Sequence, residues 1–210
     1  MDERSGPQHE VVERSAEELA ADAAAGSSAC FEALVRLLGP RLLRYLHQRV
    51  RDAHAAEDLL QETFLKAYRN LGRYDPSRSF ATWLFTIGTR LAASYWRSRR
   101  PAVAMEGIDP PDRRGCGPQE TASRREEHAR LWATASRVLS DSQFTALWLR
   151  YAEEMAIREI ASVMSKSTGG VKVLLHRACR RLMERGGWAG KPADGPLADP
   201  SAGEALVKTG

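Results

Sequence analysis

Three sets of side chains in this sequence have types and spacing suited to recognition, and each points to binding rather than to bond-making. In residues 52–71, DAHAAEDLLQETFLKAYRNL, Asp58, Gln61, Glu62 and Leu65 stand at i, i+3, i+4 and i+7, so a helix places them on one face. An acidic and amide-bearing strip ending in a leucine repels DNA and suits docking on a basic helix of a partner protein; the plainer alternative is a solvated helix face. Downstream, Gly72 to Phe80 reads as a loop carrying Arg73, Tyr74, Arg78 and Phe80, followed by Trp83. Its arginines can grip phosphates while its rings offer a surface to an unstacked base. The next helix brings Arg90, Arg97 and Arg100 close to one face, with Arg99, Tyr95 and Trp96 beside them. Core packing is the competing role for Phe80, Trp83 and Leu84. The third set has helix-turn-helix spacing, Ile157 to Met164 and then, after a short break, Val171 to Ala178. A small residue, Ala161, falls where the helices cross, and Val171, Leu175 and Ala178 share the buried face of the second helix. Thr168, Gly169, Gly170 and Lys172 would enter a major groove, with Arg177, Arg180, Arg181 and Arg185 for phosphates; a helical hairpin with a solvated basic face is the alternative.

No set resembles a catalytic centre. His9, His47, His54, His128 and His176 are scattered. Glu57 with Asp58, and Glu153 with Glu154, are adjacent and point to different sides of a helix, unlike a facing acid–base pair. Cys30, Cys116 and Cys179 stand far apart without a C-x-x-C pair or histidines at ligand spacing, so neither a disulfide framework nor a metal site is expected, and no cofactor is implied.

The elements that must position these side chains are helices. With 43% hydrophobic and 28% charged residues in 210, the chain has room for one ordinary domain or two small ones and is neither fibrous nor wholly disordered. Apolar residues recur at three and four positions: Phe31, Leu34, Leu38, Leu42, Tyr45 and Leu46; Leu60, Phe64, Ala67, Tyr68 and Leu71; Phe80, Trp83, Leu84, Ile87 and Leu91. Leu131, Ala135, Val138 and Leu139 follow, with Asp141 as the N-cap of the next helix. Strand signals are absent, so the fold class is all-α. Four prolines and three glycines between Pro101 and Ser123 mark a flexible linker. The expected organisation is an acidic extension at 1–14, a helical unit at 15–100, the linker at 101–123, a second helical unit at 124–185 and a Gly/Pro-rich tail at 186–210, where Trp188 hints at docking. The net charge of +4 is unevenly spread: Lys and Arg outnumber Asp and Glu in 28–100 and 131–185, and not in the segments around them. Two basic blocks suit a polyanion partner. No stretch approaches the roughly 20 apolar residues of a membrane span and the N-terminus lacks a secretory pattern, so a cytoplasmic protein without membrane insertion is expected.

The run AEDLLQETF at residues 56–64 resembles the core-polymerase-binding segment of bacterial sigma factors, in particular the small extracytoplasmic-function (ECF) group of the sigma-70 family. Upstream, Phe31-Glu32-Ala33-Leu34 with Pro40-Arg41-Leu42 is similar to that family's opening helix; downstream, Phe80-Ala81-Thr82-Trp83-Leu84 with Ile87 is similar to its promoter-melting segment. With the second unit, the resemblance spans about residues 15–185. It implies a factor without enzymatic activity, whose partners are core RNA polymerase, promoter DNA and an anti-sigma factor. Polymerase docking would fall to Glu57, Asp58, Gln61, Glu62 and Leu65, and minus-ten recognition and melting to Arg73, Tyr74, Arg78, Phe80, Trp83, Arg90, Tyr95, Trp96, Arg97 and Arg100. The minus-thirty-five element would be read by Thr168, Gly169, Gly170, Lys172, Val173, His176, Arg177 and Arg180.

The sequence also departs from that pattern. Arg90 and Ser94 stand where relatives often carry asparagine and aspartate, so no minus-ten base preference transfers. In the second unit Ala156 replaces a capping serine, Ser165 a turn glycine, Lys166 a buried aliphatic, and Val173-Leu174 a serine-arginine pair. A lost cap costs about 1 kcal/mol and paired glycines in a first turn weaken a helix further, so the recognition helix is expected to be weakened. Val173 and Leu174 cannot hydrogen-bond base edges, though they can touch thymine methyls. Two other readings remain at this level: a sigma-like interaction protein that holds polymerase or an anti-sigma factor without starting transcription, and a stand-alone helix-turn-helix repressor, which leaves residues 28–100 unexplained.

Overall fold

The computed structural model describes residues 14–99 and 122–185, and every regular element within them is helical. Arg100, Cys116 and Trp188, and the expectations for the N-terminal extension, linker and tail, lie outside the described residues, apart from Arg14 and residues 122 and 123. The chain divides into two compact units, Met1–Asp109 and Pro110–Gly210.

The first unit comprises α1 (Ala16–Ala24), α2 (Ser28–Val50), α3 (Ala53–Arg69), a 3-10 turn (Leu71–Arg73) and α4 (Phe80–Arg99). Each of the first three helices starts where a short polar side chain satisfies an orphan N–H: Ser15 accepts from Glu18 while Glu18 reaches back to Ser15, Ser27 accepts from Cys30, and Asp52 accepts from Ala55. Arg51, at φ 56°, makes the sharp break between α2 and α3. Leu34, Leu38, Leu42, Tyr45 and Leu46 of α2 pack with Leu59, Phe64 and Ala67 of α3 and with Phe80, Leu84, Phe85 and Ala92 of α4. Burying each large side chain contributes about 1.5–3 kcal/mol, and this packing, more than helix propensity, holds the unit together. Gly88 lets α4 come close: a Cβ there would lie 3.0 Å from Leu42 Cδ1 and 3.6 Å from Thr63 Oγ1.

The stripe expected on α3 is rotated. Leu59 and Thr63 are buried, Leu60 is half-buried and Tyr68 is 54% exposed. Thr63 escaped the apolar count because it is polar, yet its hydroxyl is satisfied locally by donating to the Leu59 carbonyl at 2.6 Å.

The second unit comprises α5 (Ala122–Val138), α6 (Asp141–Tyr151), α7 (Ile157–Met164) and α8 (Thr168–Glu184). Ser140, not Asp141, caps α6, forming a reciprocal box with Gln143, and Asp141 is the first helical residue. Trp132 lies 4.6 Å from Trp148 between ring centres, and Phe144 completes this cluster. Buried Glu153 accepts the Trp148 indole N–H at 3.1 Å, and Arg150 donates to the Met155 carbonyl, fixing the turn that leads into α7. Cys30 and Cys179 are both free and buried. Burial also pushes the Cys179 thiol and the Tyr151 hydroxyl above their ordinary values.

Two glycines should respond oppositely to a side chain. Gly88→Leu overfills the α2–α3–α4 junction and is expected to lower the stability of the first unit by about 1–3 kcal/mol. A Cβ on Gly169, in α8, would meet nothing within 4 Å, so Gly169→Ala should raise the stability of the second unit by about 0.5 kcal/mol. Native-state hydrogen exchange, read separately over each unit, checks both signs.

Candidate nucleic-acid interface

Helix α3 presents two unlike faces. While Leu59, Thr63, Phe64 and Ala67 point into the unit, Glu57, Asp58, Gln61, Glu62 and Leu65 are all exposed. Glu62 pairs with Lys66 at 2.9 Å, an exposed one-turn pair worth about 0.3–0.5 kcal/mol. The strip runs on into apolar surface, with Leu65 47% and Tyr68 54% exposed, and the Tyr68 ring meets Phe31 of α2 edge-on at 4.9 Å. Tyr68, expected in the core, therefore extends the anionic strip with an aromatic end. An anionic strip with an apolar end suits a basic protein surface with an apolar contact.

The end of α3, the 3-10 turn and α4 bound an open cleft of about 490 Å³, lined by Lys66, Asn70, Arg73, Trp83, Ile87, Arg90, Leu91, Ser94 and Arg97. On α4 the lining positions 83, 87, 90, 94 and 97 recur at three and four, so one stripe supplies the indole wall, an aliphatic floor and two guanidinium groups. Of the expected residues, Arg73, Trp83, Arg90 and Arg97 are brought together here. Sequence reasoning missed Lys66 and Asn70, from the end of α3, whereas Ser94, already noted beside Arg90 as a departure from the family pattern, lines the cleft with them. Extending the stripe from Trp83 past Ile87 finds Ser94; nothing in the sequence pattern alone brings the end of α3 beside α4. Four cations around one indole and two neutral polar side chains can hold backbone phosphates and stack an unpaired base.

Other residues expected to touch DNA are placed as support. Phe80 has no exposed surface, so its ring belongs to the core. Tyr74 is 8% exposed, stands edge-on to Phe80 at 5.1 Å and lies 5.4 Å from Trp83. Its hydroxyl donates to the Arg78 carbonyl at 2.5 Å, and burial, reinforced by the charges of Glu17 and Asp75, pushes it up to about 12. The loop is further closed by Asp75, which accepts from the Ser77 N–H and hydroxyl and pairs with Arg78 at 3.3 Å. Those Ser77 bonds, then the Arg78 charge, hold the Asp75 carboxyl below its ordinary value. Arg78 stays exposed, outside the lining of the cleft. Trp96 is half-buried and donates its indole N–H to the Arg49 carbonyl at 3.1 Å, tying α4 to the end of α2, and Tyr95 packs edge-on to it at 5.8 Å. These aromatics were expected at the DNA surface because arginines flank them in sequence, and the tertiary partner that claims Trp96 lies 47 residues away.

In the second unit α7 and α8 form the expected helix-turn-helix. Val171, Leu175 and Ala178 have no exposed surface, and Ala161 is buried where the helices meet. Thr168, Gly169, Lys172, Val173, His176, Arg177 and Arg180 are exposed on α8, with Gly170 half-exposed. The first turn is less weakened than expected, because Ser167 caps it by accepting from the Gly170 N–H at 3.1 Å. At Ala156 the lost serine is partly offset, since Glu159 still accepts the Ala156 N–H at 2.9 Å. Ser165 takes the left-handed conformation at φ 52° that favours glycine, and Lys166 is exposed. Val173, 48% exposed, leaves an apolar spot among the polar residues of this face.

Among the described residues no cluster of His, Cys, Asp and Glu could hold a metal ion, and no helix is long and apolar enough to cross a membrane. Residues 34–101 match Sigma-70 region 2 and residues 130–182 match Sigma-70, region 4. The chain is 32% identical over 168 residues to the ECF RNA polymerase sigma factor BldN of Streptomyces coelicolor, covering 79% of this chain and 63% of that protein. It is likewise 32% identical over 142 residues to the ECF RNA polymerase sigma factor SigM of Bacillus subtilis, covering 66% of this chain and 84% of that one. Among solved structures it is similar to CnrH, determined in complex with the cytosolic domain of CnrY, at a TM-score of 0.62 and 27% identity over 81% of this chain and 97% of that chain. Both family regions lie in order on the two units that carry the cleft and the helix-turn-helix, and the chain belongs to the ECF group of the sigma-70 family.

Proposed function

We propose that this protein is a transcription initiation factor that binds core RNA polymerase through the exposed face of α3, reads promoter DNA with α8 and helps open the minus-ten region at the α3–α4 cleft. The observation that carries the reading is the division of labour around α3: an anionic strip ending in Leu65 and Tyr68 on its outer face, and at its C-terminal end a cleft with four cations and the Trp83 indole. A protein partner with a basic, partly apolar surface fits the first, and a melted strand fits the second. On this reading the factor works where the polymerase is, in the cytoplasm, and supplies no bond-making chemistry, which belongs to the polymerase. CnrH, solved with the cytosolic domain of CnrY, supports a further protein partner, and an anti-sigma protein is the one that the resemblance to the family implies. The repressor alternative gives the α3 face and the cleft no role.

Run-off transcription with purified core polymerase tests the reading. Wild-type protein should yield discrete transcripts from promoter fragments, and Asp58→Arg, which reverses charge on an exposed position, should weaken core binding at least about tenfold and abolish them without lowering the melting temperature. Core binding by the wild type without any transcript would favour an interaction protein that does not start transcription.

The cleft cations should show as salt dependence. Replacing Arg97 with Gln is expected to lower the slope of log affinity against log salt for single-stranded minus-ten DNA by about 0.7, the value of one phosphate contact on a single strand. An unchanged slope would remove Arg97 from the DNA path.

A further inference from the structure

Helix α1 lies upstream of the segment matched to region 2, yet one of its side chains reaches the start of α4. The Phe80 N–H donates to Glu17 Oε1 at 3.0 Å, across 63 residues of sequence. The first N–H groups of a helix have no acceptor within it, and here they are shared out: the Ser79 hydroxyl takes that of Thr82 at 3.2 Å and the Glu17 carboxylate takes that of Phe80. A carboxylate also complements the positive end of the helix dipole.

Glu17 is itself held in place. It lies within the Ser15–Glu18 capping box, and Leu19, Ala20 and Ala23 are buried further along α1. The loop that Glu17 borders is closed mainly on itself, through Tyr74 to Arg78 and Asp75 to Ser77 and Arg78. Those bonds would move with the loop as a body. One end of the loop is anchored by buried Leu71, where the 3-10 turn packs on α1 and α3; the other is anchored at the junction at Phe80, where the Tyr74 and Trp83 rings pack and where Glu17 binds the backbone. Arg73 and Trp83, two walls of the cleft, stand on either side of that junction.

We infer that Glu17 is a positioning residue for duplex opening: by holding the Phe80 N–H it fixes the loop and Trp83 in the geometry that captures a base as it leaves the stack. The inference rests on the function proposed above. Preorganisation matters most while the duplex is still closed, because the protein must then offset unstacking with contacts already in place. Once DNA is open, Lys66, Arg90, Arg97 and the indole, which stand on α3 and α4, can bind it beside a looser loop.

The experiment uses the full chain with core polymerase and follows opening by 2-aminopurine fluorescence in the minus-ten region, with transcript yield measured in parallel. Glu17→Ala should slow opening of a closed duplex about tenfold, the loss expected for one charge-assisted hydrogen bond, and change transcription from a template already unpaired at the minus-ten region by less than about twofold. Glu17→Gln keeps an acceptor and should stay within about threefold of wild type. Core affinity and melting temperature are measured on both variants. Equal loss on closed and unpaired templates, or a loss that follows core affinity or melting temperature, overturns the inference and leaves Glu17 as a stabilising contact only; so does wild-type opening by Glu17→Ala. A wild type that binds core but initiates on neither template removes the parent reading, an outcome visible in the control before any variant is compared.

Discussion

Complete burial of Phe80 is the constraint on which the first unit turns. The residue begins α4 and ends the loop, so sinking its ring into the core fixes both at once. Tyr74 stands edge-on to it at 5.1 Å and Trp83 lies tilted to it at 5.5 Å, so one ring gathers both the loop and the indole of the cleft. The cost is polar, since a helix start brought against the core exposes N–H groups that water reaches poorly. Ser79 from the loop and Glu17 from α1 satisfy two of them. Apolar burial sets the position, and hydrogen bonds make that position tolerable.

Charge is sorted along the same helices. Acidic side chains occupy the outer face of α3, while the cations of its last turn, of the 3-10 turn and of α4 converge on the cleft. A cation in the last turn of α3 also suits the negative end of its dipole, so Lys66 serves the helix as well as the cleft. This sorting keeps a polyanion away from the surface suited to a protein and draws it to the surface with rings and polar side chains.

Much of this was legible in the sequence because it depends on period. The all-α class, the outer face of α3 and the helix-turn-helix with its buried Val171, Leu175 and Ala178 follow from spacings of three and four. What the period does not show depends on contacts distant in sequence. Trp96 reads as a DNA-facing ring until its indole meets the Arg49 carbonyl, and Phe80 until the core closes around it. The small rotation of α3 that buries Thr63 and exposes Tyr68 is equally invisible to an apolar count, because a threonine that donates to its own helix buries at little polar cost. Lys66 and Asn70 enter the cleft only through the packing of α3 against α4.

The second unit shows why missing family residues need not mean a missing element. Read one position at a time, Ala156, Ser165 and the Gly169–Gly170 pair each subtract from the helix-turn-helix. In the folded unit Glu159 retains half of the capping box, Ser167 caps α8, and the left-handed turn at Ser165 is held by N–H donations from Ser165 and Lys166 to the carbonyls of Ser162 and Ala161. The backbone of the motif is therefore intact, and the departures that survive are those of surface chemistry. Exposed Val173 presents methyl groups where a serine would present a hydroxyl, while Lys172, Arg177 and Arg180 leave cations on the same exposed helix. On the function proposed above, such a face would keep the charge that affinity for DNA needs while changing what it can discriminate, because discrimination resides in the few side chains that reach base edges.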